Sequence, residues 1–161
     1  MRTIPFIKVE SLNLYSTLSY EEDTLISFFE QVCSLHQHTL SGVLSVAFLG
    51  KDDLSKIHGE FLNDYRPTDV ITFPPDEENE MVGEICVSVD RARDEAIQRN
   101  IPLSEELSLY LIHGWLHLLG FDDHEKNDSD IMRREETKAM KAIGEIDLWP
   151  DFLLAPNGEE H

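Results

Sequence analysis

The feature that most constrains the fold of this sequence is an apolar segment, residues 107–119, that carries two histidines, His113 and His117. Hydrophobic side chains fill nearly all of the remaining positions, so a helix formed by this segment is buried on nearly all sides. Ser104, which two glutamates follow, is a typical helix start, and Gly120 can adopt the left-handed conformation that ends a helix. The chain must therefore fold around this helix, and its two imidazoles need partners in apolar surroundings.

Segments on either side of this helix predict a single α/β (α+β) domain over residues 1–161, which is the length of one domain. We expect a small mixed β-sheet of about four strands packed against about five helices. Short apolar segments rich in β-branched residues predict strands at residues 6–12, 43–49, 69–73 and 82–89. Apolar residues at helical spacing predict helices at residues 20–36, 52–61, 90–99, 104–119 and 131–143.

Several local features refine this prediction. The strand at residues 43–49 is apolar almost throughout and is expected at the centre of the sheet. Asp52 or Asp53 is expected to cap the second helix, and Asp90 the third. Residues 145–161 form a C-terminal tail, which we expect to fold back over the core.

Acidic residues outnumber basic ones by 32 to 13, and the formal net charge at pH 7 is −19. This charge disfavours long-range attraction to nucleic acid or anionic lipid, so a polyanionic partner must be held by local cations. No apolar run reaches the roughly 18 residues of a membrane span, and residues 1–5 do not resemble a secretory signal. We therefore expect a cytoplasmic protein with no membrane partner. Cys33 and Cys86 lack the spacing of a metal or redox motif and are expected in the core.

The two histidines of the buried helix predict a metal site. His113 and His117 are four residues apart, which places them one turn apart on the same helix face. Because Gly120 lets the chain turn back, His124 can supply a third nitrogen, with Asp123 as the alternative third ligand. Three neutral nitrogens leave one coordination position open for water, which is typical of a catalytic site. The alternative is that His113 and His117 are core histidines that hydrogen-bond the backbone.

The HExxH helix of metal proteases has the same histidine spacing, with a glutamate general base directly after the first ligand. Gly114 occupies that position here. The sequence therefore does not favour a peptide-cleaving enzyme.

The segment HGWLHLLGFDDH, residues 113–124, resembles the signature HGxLHLxGxDH of the YbeY-type endoribonucleases. Two further segments agree with that family. Leu62-Asn63 followed by PTDVITFP at residues 67–74 is similar to the family's LN and PTDVLSFP segments, and GEICVS at residues 83–88 is similar to its GDIxIS strand. The resemblance extends from about Val43 to Glu136, which is most of the chain.

The resemblance implies that His113, His117 and His124 hold one divalent ion, expected to be Zn²⁺, whose bound water attacks the substrate. An RNA 2′-hydroxyl is the alternative nucleophile. This sequence has one extra aspartate, Asp122 or Asp123, before the last histidine. The family also has an arginine that is important for RNA cleavage, in a longer LNxxYRxxDxPTD segment. Arg66 is the candidate here, although it precedes Pro67 directly. A solvated loop arginine is the alternative interpretation.

The function implied by the resemblance is that of a metal-dependent, single-strand-specific endoribonuclease. Such proteins act in rRNA maturation at the 16S rRNA 3′ end and in ribosome quality control, with ribosomal proteins or an assembly GTPase as further partners. The alternatives are a noncatalytic ribosome-assembly factor with a structural metal, and a metal hydrolase of another substrate. Binding of RNA requires that basic residues gather near the metal, and the candidates are Lys51, Lys56, Arg66, Arg91, Arg93 and Arg99.

Overall fold

A computed structural model describes residues 6–62 and 68–156 of the chain. The elements in these residues are β1 (Ile7–Asn13), β2 (Leu18–Ser19), α1 (Glu22–Ser34), β3 (Gly42–Leu49), α2 (Lys51–Leu62), β4 (Val70–Phe73), β5 (Met81–Ser88), α3 (Val89–Arg99), α4 (Leu103–Leu118), α5 (Lys126–Glu145) and β6 (Leu153–Leu154). The predicted α/β fold, with four main strands and five helices, is confirmed. None of the described helices has the length and hydropathy needed to span a membrane.

The main sheet is mixed and has the strand order β1-β3-β5-β4. Strands β1, β3 and β5 run parallel, and β4 pairs with β5 in the antiparallel direction. The predicted central position of β3 is confirmed, since it pairs with a strand on each side. Its apolar sequence follows from this position, because both of its faces are covered.

Helix α4 is the central helix of the larger core. Trp115, Leu111 and Leu116 are fully buried on it, as the unbroken apolar pattern predicts. The helix approaches the sheet closely at Gly114, where a Cβ atom would lie 2.6 Å from Ile85 Cγ2. The absence of a side chain at this position therefore lets the helix, and the two histidines on it, lie directly against β5.

A smaller apolar cluster lies around Leu54 of α2 and includes Ile71 of β4 and Cys86 of β5. Both cysteines, Cys33 and Cys86, are buried free thiols, as expected. Burial raises the pKa of each thiol to about 12, so both stay protonated and unreactive at neutral pH.

The structure differs from the sequence-based expectation at the capping positions. Helix α2 begins at Lys51, so Asp52 and Asp53 lie in its first turn, and Asp90 Oδ2 accepts the backbone N–H of Lys51 at 2.8 Å. Ser88 caps α3 in place of Asp90, by accepting the backbone N–H of Arg91. The Asp90 carboxylate thus caps α2, which begins 39 residues earlier in the sequence. The local sequence pattern does not reveal such a long-range cap.

The tail after α5 returns to the core, where β6 pairs with β2 in a two-stranded antiparallel sheet. Phe152 is buried, and its ring packs against those of Tyr20 and Phe48 with centroids 5.4 and 5.3 Å away. These aromatic contacts hold the tail over the junction of the sheet and α1.

Candidate metal centre

The last two turns of α4 place His113 and His117 side by side. Their Nε2 atoms are 3.1 Å apart, and their ring centroids are 4.7 Å apart. Both side chains are about one quarter exposed, at 28% and 26%. The predicted juxtaposition of the two imidazoles at one helix face is therefore present.

A carboxylate from the following loop completes the cluster. Asp123 Oδ2 lies 3.5 Å from His113 Nε2 and 3.8 Å from His117 Nε2. Three donor atoms, one from each residue, lie within 4.8 Å of one another and have the chemistry and spacing to hold one metal ion.

The turn after α4 explains why the loop reaches back to the histidines. Gly120 has φ of +104°, a conformation that L residues with a side chain rarely adopt. Its backbone N–H donates to the His117 carbonyl at 3.0 Å, and the Phe121 N–H donates to the Leu116 carbonyl at 3.0 Å. These bonds reverse the chain direction and return Asp123 to the helix end.

His124 occupies a different position from the other two histidines. Its side chain is 85% exposed, and its Nε2 lies 3.4 Å from Asp122 Oδ1. The structure thus brings together His113, His117 and Asp123, and groups His124 with the two aspartates beside it. Arg66, the other predicted site residue, lies outside the described residues.

Glu136 of α5 is a site residue that the sequence analysis did not identify. Its Oε1 lies 2.9 Å from His113 Nδ1. A carboxylate there accepts the Nδ1 proton, which leaves Nε2 as the lone-pair donor, the arrangement common among metal-binding histidines. The sequence does contain a signal for this role. Glu136 follows the buried Met132 by four residues, so it is an acidic residue on the inner face of α5.

The environment of His117 also favours a neutral ring. Burial lowers the pKa of His117, and the neighbouring His113 lowers it further, while Asp123 opposes the shift. The ring also hydrogen-bonds the backbone of Phe121. Two imidazoles and a carboxylate that converge in this way fit a divalent cation, which satisfies all three donors at once.

The cluster opens into a cleft of about 400 Å³ lined by His113, Asp123 and residues of β4, α3, α4 and α5. Glu106 lies in the wall of this cleft and is only 2% exposed. Burial raises the pKa of its carboxyl group, and Arg99, with Nη1 3.6 Å from Glu106 Oε2, opposes the rise. The cleft wall therefore holds an acid and an arginine that partly compensate each other.

Several of the basic residues expected to gather at the site form ion pairs with acidic neighbours. Arg91 Nε lies 2.7 Å from Asp69, and Arg93 Nη2 lies 3.1 Å from Asp94. Within the described residues, Arg99 is the member of the expected set that lines the cleft, and it is also paired, with Glu95 and Glu106. Ion pairing with the abundant acidic residues has thus neutralised much of the predicted cluster.

A family model described as Endoribonuclease YbeY matches residues 11–144. An endoribonuclease YbeY from Protochlamydia amoebophila is 32% identical over 145 residues, which cover 88% of this chain and 96% of that protein. A second, from Carboxydothermus hydrogenoformans, is 31% identical over 139 residues, which cover 84% and 96%. The solution structure of a protein from Thermotoga maritima has a TM-score of 0.59 and 27% identity, and the match covers 88% of this chain and 92% of that one.

The residues that the family model matches include β3, β4, β5 and all of α4, so the region that carries the histidine pair is part of what is shared. The family model and both relatives carry the same family description. The chain belongs to the endoribonuclease YbeY family.

Proposed function

We propose that this protein is a metal-dependent endoribonuclease that cleaves single-stranded RNA at the cluster of His113, His117 and Asp123. The observation that carries the proposal is the convergence of two Nε2 atoms and a carboxylate oxygen at the side of an open cleft. Because the chain belongs to an endoribonuclease family, we propose that it cleaves the phosphodiester bond of RNA. The cluster offers protein ligands while leaving space for solvent and substrate.

The residues of the centre have separate roles in this proposal. His113 and His117 hold a divalent ion, which we propose is Zn²⁺, and Glu136 orients the His113 ring through Nδ1. The third ligand comes from the loop after Gly120. The resemblance assigns this role to His124, whereas Asp123 lies beside both rings in the structure.

The chemistry of cleavage requires an activated nucleophile and compensation of charge on the phosphate. A divalent ion supplies Lewis acidity and lowers the pKa of water toward roughly 7. Arg99 on the cleft wall is placed to attract the phosphate backbone. We assign the same role to Arg66 from the resemblance, because a guanidinium group can pair with a phosphodiester through two N–H groups.

We further propose that the substrate is ribosomal RNA, at the 16S rRNA 3′ end, and that the protein takes part in ribosome quality control. The net charge of −19 disfavours capture of free RNA and favours a basic protein partner. Ribosomal proteins or an assembly GTPase are therefore proposed to bring the enzyme to its substrate.

The test compares cleavage of a single-stranded RNA by the wild-type protein and by His117→Ala, both purified in parallel without ribonuclease. We expect cleavage by wild type to stop after chelation and return when Zn²⁺ is added. His117→Ala should melt cooperatively and remain inactive, and its inactivity also controls for contaminating ribonuclease.

Cleavage by a folded His117→Ala variant, at the wild-type rate, would contradict metal-dependent catalysis. If chelation lowered the melting temperature while no preparation ever cut RNA, the noncatalytic assembly factor with a structural metal would be the better account. Hydrolysis of a different phosphate ester or amide by wild type alone would support the third alternative.

A further inference from the structure

A second hollow, of about 630 Å³, adjoins the cleft of the metal centre between α4 and α5. Arg99, Leu109, Arg133 and Glu136 line both hollows, so the two spaces adjoin each other. We call the second hollow the α4–α5 groove. The residues used in the argument below are Arg99, Leu109, Arg133, Met140, Lys141 and Trp149.

The groove carries positive charge in a strongly acidic protein. Arg133 makes no ion pair with a carboxylate among the residues that the structure describes, whereas Arg91, Arg93 and Arg99 are all paired. Arg99 Nε lies 3.4 Å from Glu95 Oε2, and its Nη1 lies 3.6 Å from Glu106 Oε2. Lys141 Nζ lies 4.0 Å from Glu145 Oε1, and both side chains are largely exposed, so this ion pair is weak. Arg133 therefore presents a guanidinium group that is free to bind an anion.

Two carboxylates also line the groove, and one of them is already engaged. Glu136 accepts a hydrogen bond from His113, which directs its charge toward the metal centre. Glu105 lies in the first turn of α4, where the helix dipole stabilises a negative charge. Three cations and two carboxylates thus line the groove itself, and among the described residues Arg133 is the cation of this set that no carboxylate pairs with.

The groove also has an apolar surface. Trp149 is partly buried and packs against the core, and its Cζ2 atom lies 3.4 Å from the Cβ position of Gly144. Leu109 and Met140 extend this surface between the two helices. Unstacked bases of single-stranded nucleic acid bind such aromatic surfaces, while flanking cations bind the phosphates.

We propose that the α4–α5 groove binds the part of a single-stranded RNA substrate that flanks the cleavage site. In this arrangement Arg133 and Arg99 hold backbone phosphates at the junction with the cleft, and a base stacks on Trp149. Arg133 is three residues before Glu136, so their Cβ atoms are about 5–6 Å apart on the same helix face. A phosphate on Arg133 therefore lies close to the residue that orients His113.

This inference rests on the proposed function but is tested without cleavage. The probe is a fluorescein-labelled single-stranded oligonucleotide whose 2′-hydroxyl groups are methylated, so none of them can act as a nucleophile. A chelator is present, so metal-dependent attack by water is prevented as well. Fluorescence anisotropy is measured for wild type, Arg133→Ala and Arg134→Ala over a range of salt concentrations. Arg134 is the matched control, because it is exposed, lies next to Arg133 and lines neither hollow.

We expect Arg133→Ala to weaken binding roughly five-fold and to reduce the slope of log K against log salt by about 0.7. Arg134→Ala should leave the slope unchanged. If Arg133→Ala and Arg134→Ala weakened binding equally, the change in net charge alone would explain the weaker binding, and the proposal would be overturned. An unaltered slope in Arg133→Ala would overturn it as well.

Tryptophan fluorescence tests the stacking contact independently. The sequence has two tryptophans, and Trp115 is fully buried, so Trp149 is the residue that an oligonucleotide can quench. We expect quenching by the unlabelled oligonucleotide in wild type and its loss in Trp149→Phe. Quenching that persists in Trp149→Phe, or its absence in wild type, would contradict a base on Trp149. Metal-dependent cleavage without these binding effects would refute RNA binding in the α4–α5 groove and leave the proposed function intact.

Discussion

The identity of the third metal ligand depends on two neighbouring side chains. Asp123 Oδ2 is already within 3.8 Å of both ring nitrogens, whereas His124 is 85% exposed. Because little rearrangement is needed, we expect Asp123→Ala to lower zinc affinity at least about ten-fold more than His124→Ala does. Competition with a chromophoric chelator measures both affinities.

A larger loss in His124→Ala would show that the loop rearranges when the ion binds. His124 would then be the third ligand, as the family resemblance implies, and Asp123 would act as a neighbouring acceptor. Equal affinity in both variants would mean that neither side chain is a ligand.

Glu136 is predicted to set the orientation of His113 and the position of its proton. Glu136→Gln keeps the shape of the side chain but removes the charged acceptor of the His113 Nδ1 proton. We expect zinc affinity to fall by about 10–100-fold, as is typical when such a partner is removed. The same substitution at the exposed Glu145 is the control and should have no effect on affinity. Unchanged affinity in Glu136→Gln would contradict the orienting role.

Among the secondary-structure elements, α4 depends on its close contact with β5 at Gly114. An alanine Cβ would approach Ile85 Cγ2 to 2.6 Å, so Gly114→Ala overpacks the core. We expect the free energy of unfolding to fall by about 1–3 kcal/mol, measured by urea denaturation. Gly144→Ala on α5 is the matched control, since its nearest contact is 3.4 Å and alanine favours helix. Equal stability of the two variants would show that α4 does not require the close approach.

The elements with the clearest patterns were those best predicted from sequence. The apolar strand at the sheet centre and the buried helix with paired histidines follow from local periodicity, and both are confirmed. The contact of Glu136 with His113 joins residues 23 apart, and the cap that Asp90 provides for α2 spans 39. Local periodicity carries no information about such long-range partners, so these contacts became visible only in three dimensions.

The distribution of charge explains how an acidic protein can accommodate RNA. Its net charge of −19 disfavours nonspecific binding, while Arg99, Arg133 and Lys141 line one continuous path beside the metal centre. The sequence predicts a cluster that includes Arg91 and Arg93, but their acidic neighbours on the fold neutralise them. Arg133 was absent from that expected set, because its exposure and lack of an ion pair follow from tertiary packing.

If Arg99, Arg133 and Lys141 each contact one phosphate in the α4–α5 groove, the salt dependence of binding is weak. For a single strand, log K should fall with log salt with a slope of about −2, or about twenty-fold between 50 and 200 mM. Anisotropy titrations of the wild-type protein with the oligonucleotide measure this slope. A much steeper slope would require a larger basic surface than the described residues provide.

The most direct test of the metal centre is a stoichiometric zinc titration of metal-free protein, followed by the single-turnover rate of cleavage of a single-stranded RNA. The account predicts that the rate rises from background and reaches a plateau at about one Zn²⁺ per chain, the occupancy of a single site. Cleavage at full rate before any metal is added, or no cleavage at saturating zinc, would contradict it.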